Sequence, residues 1–168
     1  MSETMSKKNK VQYFSTAAIS ECKKYRYSLD RIWDFDKPRV LFIMHNPSTA
    51  NENTDDPTIR RCIKFAQDWG YGGICVGNLF PYRATDPKEL LKLEHEEMAD
   101  TCINEVYLSV MANECERHIL AFGNPIAPYL HSMLPKVEWE ALKLTKKGNP
   151  CHPLYLRSDL KPFTFKPR

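Results

Sequence analysis

From Tyr25 to Trp33 (YRYSLDRIW) apolar and polar residues alternate, which predicts a β-strand with Tyr25, Tyr27 and Leu29 on one side. Arg39–Met44 (RVLFIM) is instead a short continuous apolar run, the pattern of a strand buried on both faces. Asp56-Pro57 then reads as a helix cap followed by proline at the first helical position. Ile59, Cys62, Ile63 and Ala66 follow at helical spacing, and Gly70 supplies the stop. GGICVGN predicts a second buried strand ending at Asn78. Asp86-Pro87 repeats the cap-and-proline signal and is expected to open a helix through KELLKL.

Met98 to Cys115 predicts a longer amphipathic helix with Ile103, Val106, Val110 and Met111 turned inward. Arg117–Phe122 is a third strand, Asn124–Leu134 a further helix, and Ala141–Thr145 (ALKLT) a fourth strand. Strands alternating with helices imply parallel pairing and right-handed crossovers. The expected fold is therefore α/β, a three-layer α/β/α sandwich around a mainly parallel four-stranded sheet, with an added N-terminal strand or hairpin. Residues 1–10 are polar and expected to be disordered, leaving 11–168 as a single domain.

Such sheets bind ligands outside the carboxyl ends of their strands. The segments that follow the four strands are HNPST, NLFPYRATDP, GNP and KKGNPCHPLYL, polar or proline-punctuated where a bare connection would suffice. His45, Asn46, Pro47 and Ser48 head the first of them. Imidazole and carboxamide both donate and accept hydrogen bonds, and Pro47 stiffens the backbone; an Asx-turn that merely closes the strand is the plain alternative. Asn78 can pair with a base edge through donor and acceptor. Phe80 and Tyr82 can form a stacking wall or simply join the core, and Arg83 can neutralise a phosphate or lie in solvent. His152, held by Pro153, suits stabilisation of a developing anion. Asp56 is read as a cap, whereas Asp55 or Glu52 can orient water. His118 and His131 are read as structural.

Composition narrows the function classes. The net charge is only +3, so bulk electrostatics does not mark a nucleic-acid binder, and the basic tail KPFTFKPR reads as a solvated end. Six cysteines stand singly, with no C-x-x-C pair, and are expected to be reduced thiols. No metal or other cofactor is expected, and neither G-x-x-x-x-G-K-[ST] nor G-x-G-x-x-G is present. No apolar stretch reaches the length of a membrane span and no signal-peptide core is visible, so no membrane partner and a cytoplasmic location are expected.

YRYSLDRIW, NPSTANENTDDPTIRRC, GNLFPYRATDP, AFGNP and GNPCHPLYL together resemble a family of bacterial and phage proteins known as domain of unknown function 1643. That family name carries no activity. The layout also resembles, more distantly, the uracil-DNA glycosylase superfamily, a parallel four-stranded α/β/α domain. There the first strand ends in G-x-D-P-Y or G-x-N-P-G, which positions the hydrolytic water, and Met44-His45-Asn46-Pro47-Ser48 matches it with Asn46 at the Asp/Asn position. Asn78 matches an asparagine that reads the base, Phe122-Gly123 a strand-then-glycine motif, and His152-Pro153 the histidine motif, with Leu154 or Tyr155 as wedge. Met44 replaces the family's opening glycine, and the cysteine spacing of the iron–sulfur branch is absent.

The resemblance implies recognition of a nucleobase or nucleotide, with DNA as the expected partner and hydrolysis of an N-glycosidic bond as the expected reaction. Catalysis would fall to Asn46, His152 and Asp55. His45, Pro47, Ser48, Asn78, Phe80, Tyr82, Arg83, Gly123 and Leu154 would bind substrate. Two alternatives stay open: a binding module without hydrolysis, and an enzyme acting on free nucleotides or nucleosides.

Overall fold

A computed structural model describes residues 12–94, 97, 100–126 and 131–167. The strands are β1 (Phe14–Ile19), β2 (Arg26–Ile32), β3 (Arg39–Met44), β4 (Gly73–Asn78), β5 (Arg117–Leu120), β6 (Trp139–Ala141) and β7 (Phe163–Phe165). The α-helices are α1 (Pro57–Asp68) and α2 (Thr101–Glu114). The seven strands form one sheet in the order β1-β2-β4-β3-β5-β6-β7. Neighbours β4, β3, β5 and β6 pair in parallel, whereas β1-β2, β2-β4 and β6-β7 are antiparallel. The sheet is thus larger than the four strands expected, and mixed.

Alternate residues of β3 enter two separate cores, which accounts for its unbroken apolar run. Val40, Phe42 and Met44 pack with Ile59, Cys62, Ile63 and Ala66 of α1. Leu41 and Ile43 pack with Leu108, Met111 and Ala112 of α2 on the other face. Gly77 admits α2 closely: a Cβ there would stand 2.6 Å from Leu108 Cδ2 and 2.8 Å from Met111 Cε. No helix among the described residues is long and apolar enough to cross a membrane.

Several expectations are corrected. The helix expected after Asp86 is a short 3-10 segment, Pro87–Lys92. On α2, Ile103, Val106 and Val110 face outward, 48%, 63% and 48% exposed, while Asn104 and Leu108 are buried. The helix is turned because the Asn104 amide donates to the carbonyl of Asn78 at 3.0 Å, a polar contact that a hydrophobic pattern does not register. The fourth parallel strand lies at Trp139–Ala141, and Leu144 instead bridges to Pro150 across the Lys146–Gly148 turn. The tail is largely exposed, as expected, but it is not a free end, since Phe163–Phe165 pairs with β6. Disorder at 1–10 and the middle of the helix expected over Asn124–Leu134 fall outside the described residues; the described end of that segment is a 3-10 turn, His131–Met133.

Tyr27 and Leu29 also part company. Ser28 pairs with Ala18 but Arg26 pairs with Ile19, so β2 advances two residues for one on β1. This bulge sends Tyr27 to the α2 face, where its ring stacks on Tyr107 at 5.1 Å, while Leu29 joins the α1 core.

Candidate functional site

The loops at the carboxyl ends of the parallel strands are laced together. Leu79 N–H donates to Met44 O at 2.8 Å, Phe80 N–H to His45 O at 3.0 Å, and Ala84 N–H to Pro47 O at 2.9 Å. Gly123 N–H donates to Pro150 O at 2.7 Å, which ties the loop after β5 to the stretch before His152. Asn124 Oδ1 strengthens that tie by accepting from Thr145 Oγ1 at 2.8 Å and Asn149 Nδ2 at 2.9 Å. Each loop is thereby fixed by its neighbour.

Between them lies a cavity of about 230 Å³, lined by His45, Asn46, Ser48, Asp56 and His152, with Arg26, Thr58 and Thr85 adding to its polar wall. Ligand clefts commonly span ~300–1,000 Å³, so this one suits a small ligand or the inserted part of a larger one. The first turn of α1 opens onto it. Asp56 caps that turn, accepting from Ile59 N–H at 2.9 Å as the Asp-Pro signal predicts.

The hydrogen bonds determine what each group can offer. His45 Nε2 accepts from Ile126 N–H at 3.1 Å, so its proton sits on Nδ1, 2.8 Å from Asn46 Oδ1. Asn46 Nδ2 donates to Pro47 O at 3.1 Å and Ala84 O at 2.9 Å. Both amide hydrogens of Asn46 are therefore spent, and toward a ligand it can only accept. His152 Nδ1 accepts from Leu154 N–H at 3.3 Å, which leaves Nε2–H as the donor of a neutral ring. Burial pushes both imidazoles below the ordinary histidine value; the Asn46 contact partly offsets this at His45, as the attraction of Asp56 does at His152.

A family model described as "Protein of unknown function (DUF1643)" matches residues 26–154. The chain belongs to the DUF1643 family. No curated protein and no solved structure matches it. The matched span opens at Arg26 and ends two residues past His152, so it contains every residue lining the cavity.

Sequence reasoning did not place Arg26, Thr58 or Thr85 at the site of this DUF1643 chain and read Asp56 only as a cap; Arg26 is the most telling of these lining residues. It is 2% exposed, and the β2 bulge turns it to the face shared by Leu29 and Arg31. Its Nη1 donates to Ala50 O at 2.9 Å, but its Nε is buried without a partner among the described residues. Burial, opposed by the attraction of Asp56, lowers its pKa to about 10, so it remains charged at neutral pH. An uncompensated buried charge costs several kcal/mol. The only available signal was an arginine inside an otherwise core-like strand.

Of the residues expected at the site, the DUF1643 cavity gathers His45, Asn46, Ser48 and His152. Pro47 is buried just behind it, and Gly123 sits beside His152, where a Cβ would meet the histidine Cβ at 3.9 Å. Leu154 only donates its N–H to His152. Asp55 lies apart, held in an ion pair with Arg31 at 2.8 Å. Phe80 is wholly buried with its ring edge-on to His45 at 5.2 Å, and Tyr82 packs edge-on to Tyr25 at 5.8 Å. Arg83 lines a shallower neighbouring depression with Lys23 and Ser48. Asn78 does not line the cavity. It is 1% exposed, with Nδ2 and Oδ1 both unpartnered among the described residues, in register with cavity-lining Met44 on the adjacent strand. Among the described residues no group of three or more His, Cys, Asp or Glu could hold a metal ion.

Proposed function

We propose that the cavity receives a nucleobase with its sugar and hydrolyses the N-glycosidic bond, as a uracil-DNA-glycosylase-like enzyme acting on a base, ordinary or modified, in DNA. The observation that carries this reading is His152, a largely buried, neutral imidazole with a free Nε2–H in a cavity at the carboxyl ends of parallel strands. Cleavage moves the bonding pair onto the departing base and leaves positive charge on the sugar. One oriented donor to that developing anion is worth ~3 kcal/mol, which is the role given to His152. The parallel block β4-β3-β5-β6, with the cavity at the carboxyl ends of its strands, supports the reading.

The acid assigned to the sugar side is Asp56 rather than Asp55. Asp55 is committed to Arg31, whereas Asp56 spends Oδ1 on Ile59 N–H and has its second oxygen left to orient water or face the oxocarbenium. Asn46 contributes only the remaining lone pair of Oδ1. A base in a duplex would have to be swung out of the stack to enter, at a few kcal/mol.

Incubation of the protein with DNAs carrying a broad panel of natural and modified bases, read by mass spectrometry for free base, tests the proposal. Release that disappears in His152→Ala is expected, and no release from any substrate would overturn it. The saturated amide of Asn46 favours one other reading, a pocket that binds a base without turnover, for which binding would persist in the absence of any product.

A further inference from the structure

Two arginines of β2 point to the α1 face, both almost wholly buried, and they are treated differently. Arg31 is paired with Asp55 at 2.8 Å and also donates to the carbonyls of Asp30 and Asn51. Arg26 forms no ion pair among the described residues, has one carbonyl contact, and leaves its buried Nε without an acceptor. Unlike Arg31, it lines the cavity.

The first turn of α1 lines the same cavity through Thr58 and Ile59. Pro57 has no N–H, Ile59 N–H is taken by Asp56, and Thr58 N–H has no acceptor among the described residues. A free N–H at a helix start, the Ser48 hydroxyl among the lining groups, and a planar guanidinium with unspent donors supply hydrogen bonds for a tetrahedral anion. Asp56 is the one carboxylate among the lining residues, and its charge attracts Arg26 with no ion-pair contact between them among the described residues.

We infer that Arg26 is an anion anchor and that the cavity takes the phosphate of a nucleotide against Arg26 and the Thr58 end of α1. The identification of the ligand as a nucleotide rests on the function proposed above; the anion subsite does not. Phosphate would supply acceptors to Nε and Thr58 N–H and pair directly with a guanidinium that has no ion-pair contact among the described residues. Asp56 opposes the anion, so it limits how tightly phosphate alone is held and favours a ligand that brings a hydroxyl or N–H for the carboxylate to accept. A nucleotide offers both groups. Arg83 and Lys23, in the adjoining depression that shares Ser48, would meet a second phosphate only if the ligand is a strand.

The test is calorimetric titration of the full chain with inorganic phosphate, a nucleoside, the corresponding nucleoside monophosphate and a short single-stranded oligonucleotide. Phosphate and the monophosphate should bind, the nucleoside more weakly than its monophosphate. Arg26→Met should weaken both anions by roughly tenfold or more, the factor that a lost charged hydrogen bond implies. Asp56→Asn keeps the helix cap and removes the opposing charge, so it should bind phosphate several-fold tighter, a gain that misfolding cannot imitate. Oligonucleotide binding that exceeds the monophosphate and weakens in Arg83→Ala identifies a strand as the phosphate source; equal binding identifies a free nucleotide. No phosphate binding, unchanged binding in a folded Arg26→Met, or no tightening in Asp56→Asn would overturn the inference. Phosphate binding through Arg26 without base release would leave the anchor standing and remove the glycosylase reading; base release indifferent to Arg26→Met would do the reverse.

Discussion

Nδ1 of His45 stands 2.8 Å from Oδ1 of Asn46, while Nε2 of the same ring accepts the backbone N–H of Ile126. This pairing settles the tautomer of one residue and the amide orientation of the other, and it joins the loops after β3, β4 and β5 at one point. Asn46→Asp would set a carboxylate against the carbonyls of Pro47 and Ala84 at positions now occupied by amide donors. Each buried acceptor left unpaired costs about 1–3 kcal/mol. A lower denaturation midpoint is therefore expected for Asn46→Asp, with a smaller drop for Asn46→Ala; a melting temperature equal to wild type in both would contradict the geometry.

Acid should destabilise the fold through the two cavity histidines. Both have folded-state pKa values below 6.5, so the unfolded chain binds more protons as the medium is acidified. Their contribution is fully present above about pH 6.5 and is lost as pH falls from there toward the depressed values, by at most about 1.4 kcal/mol per pH unit for each group. Thermal unfolding followed across that window should show the decline, and a His45→Gln, His152→Gln double variant should flatten it. A double variant with the wild-type slope would count against buried neutral imidazoles.

Gly123 has φ +69° and stands between β5 and the Pro150–His152 stretch. Its neighbourhood has room for a methyl group, so Gly123→Ala isolates the backbone cost, about 1–2 kcal/mol for a left-handed alanine. Denaturant titration should show that loss. Because Gly123 N–H holds Pro150 O, whatever ligand response the protein has should fall with it; unchanged stability would mean the turn relaxes to another conformation.

Thiol chemistry separates the cysteines by burial. Cys22 is exposed and a hydrogen bond from Ser20 lowers its pKa, while burial raises that of Cys62, and a buried contact with Cys115 raises that of Cys75. Alkylation at neutral pH, read by peptide mass spectrometry, should modify Cys22 first and leave Cys62 and Cys75 intact until the chain is unfolded. Early labelling of Cys62 or Cys75 would contradict the packing of the two cores.

The elements with local chemical signals were legible. Asp56-Pro57 announces α1, RVLFIM announces a doubly covered strand, and the polar strand-end segments led to His45, Asn46, Ser48 and His152. What escaped depends on contacts remote in sequence. Arg26 reaches the cavity because a bulge opposite Ile19 breaks the alternation of β2. Asn104 turns α2 by answering the carbonyl of Asn78, a buried polar role that looks like surface in a hydrophobic pattern. Residues β6 and β7 contribute only three each, too few to show a period, and β7 exists because the tail finds β6. The sequence reading put Asp55 ahead of Asp56 as the candidate acid, because the ion pair that commits Asp55 to Arg31 is a contact remote in sequence.

The claim that the cavity of Asn46, Asp56 and His152 receives a nucleobase is tested most directly by nitrogen NMR of histidine-labelled protein titrated with free bases and nucleosides. A neutral ring at His152 with its proton on Nε2 is expected, and that nitrogen should shift on binding more than any of His118. A His152 ring protonated on Nδ1, or base-induced shifts that reach His118 and pass over His152, would contradict it.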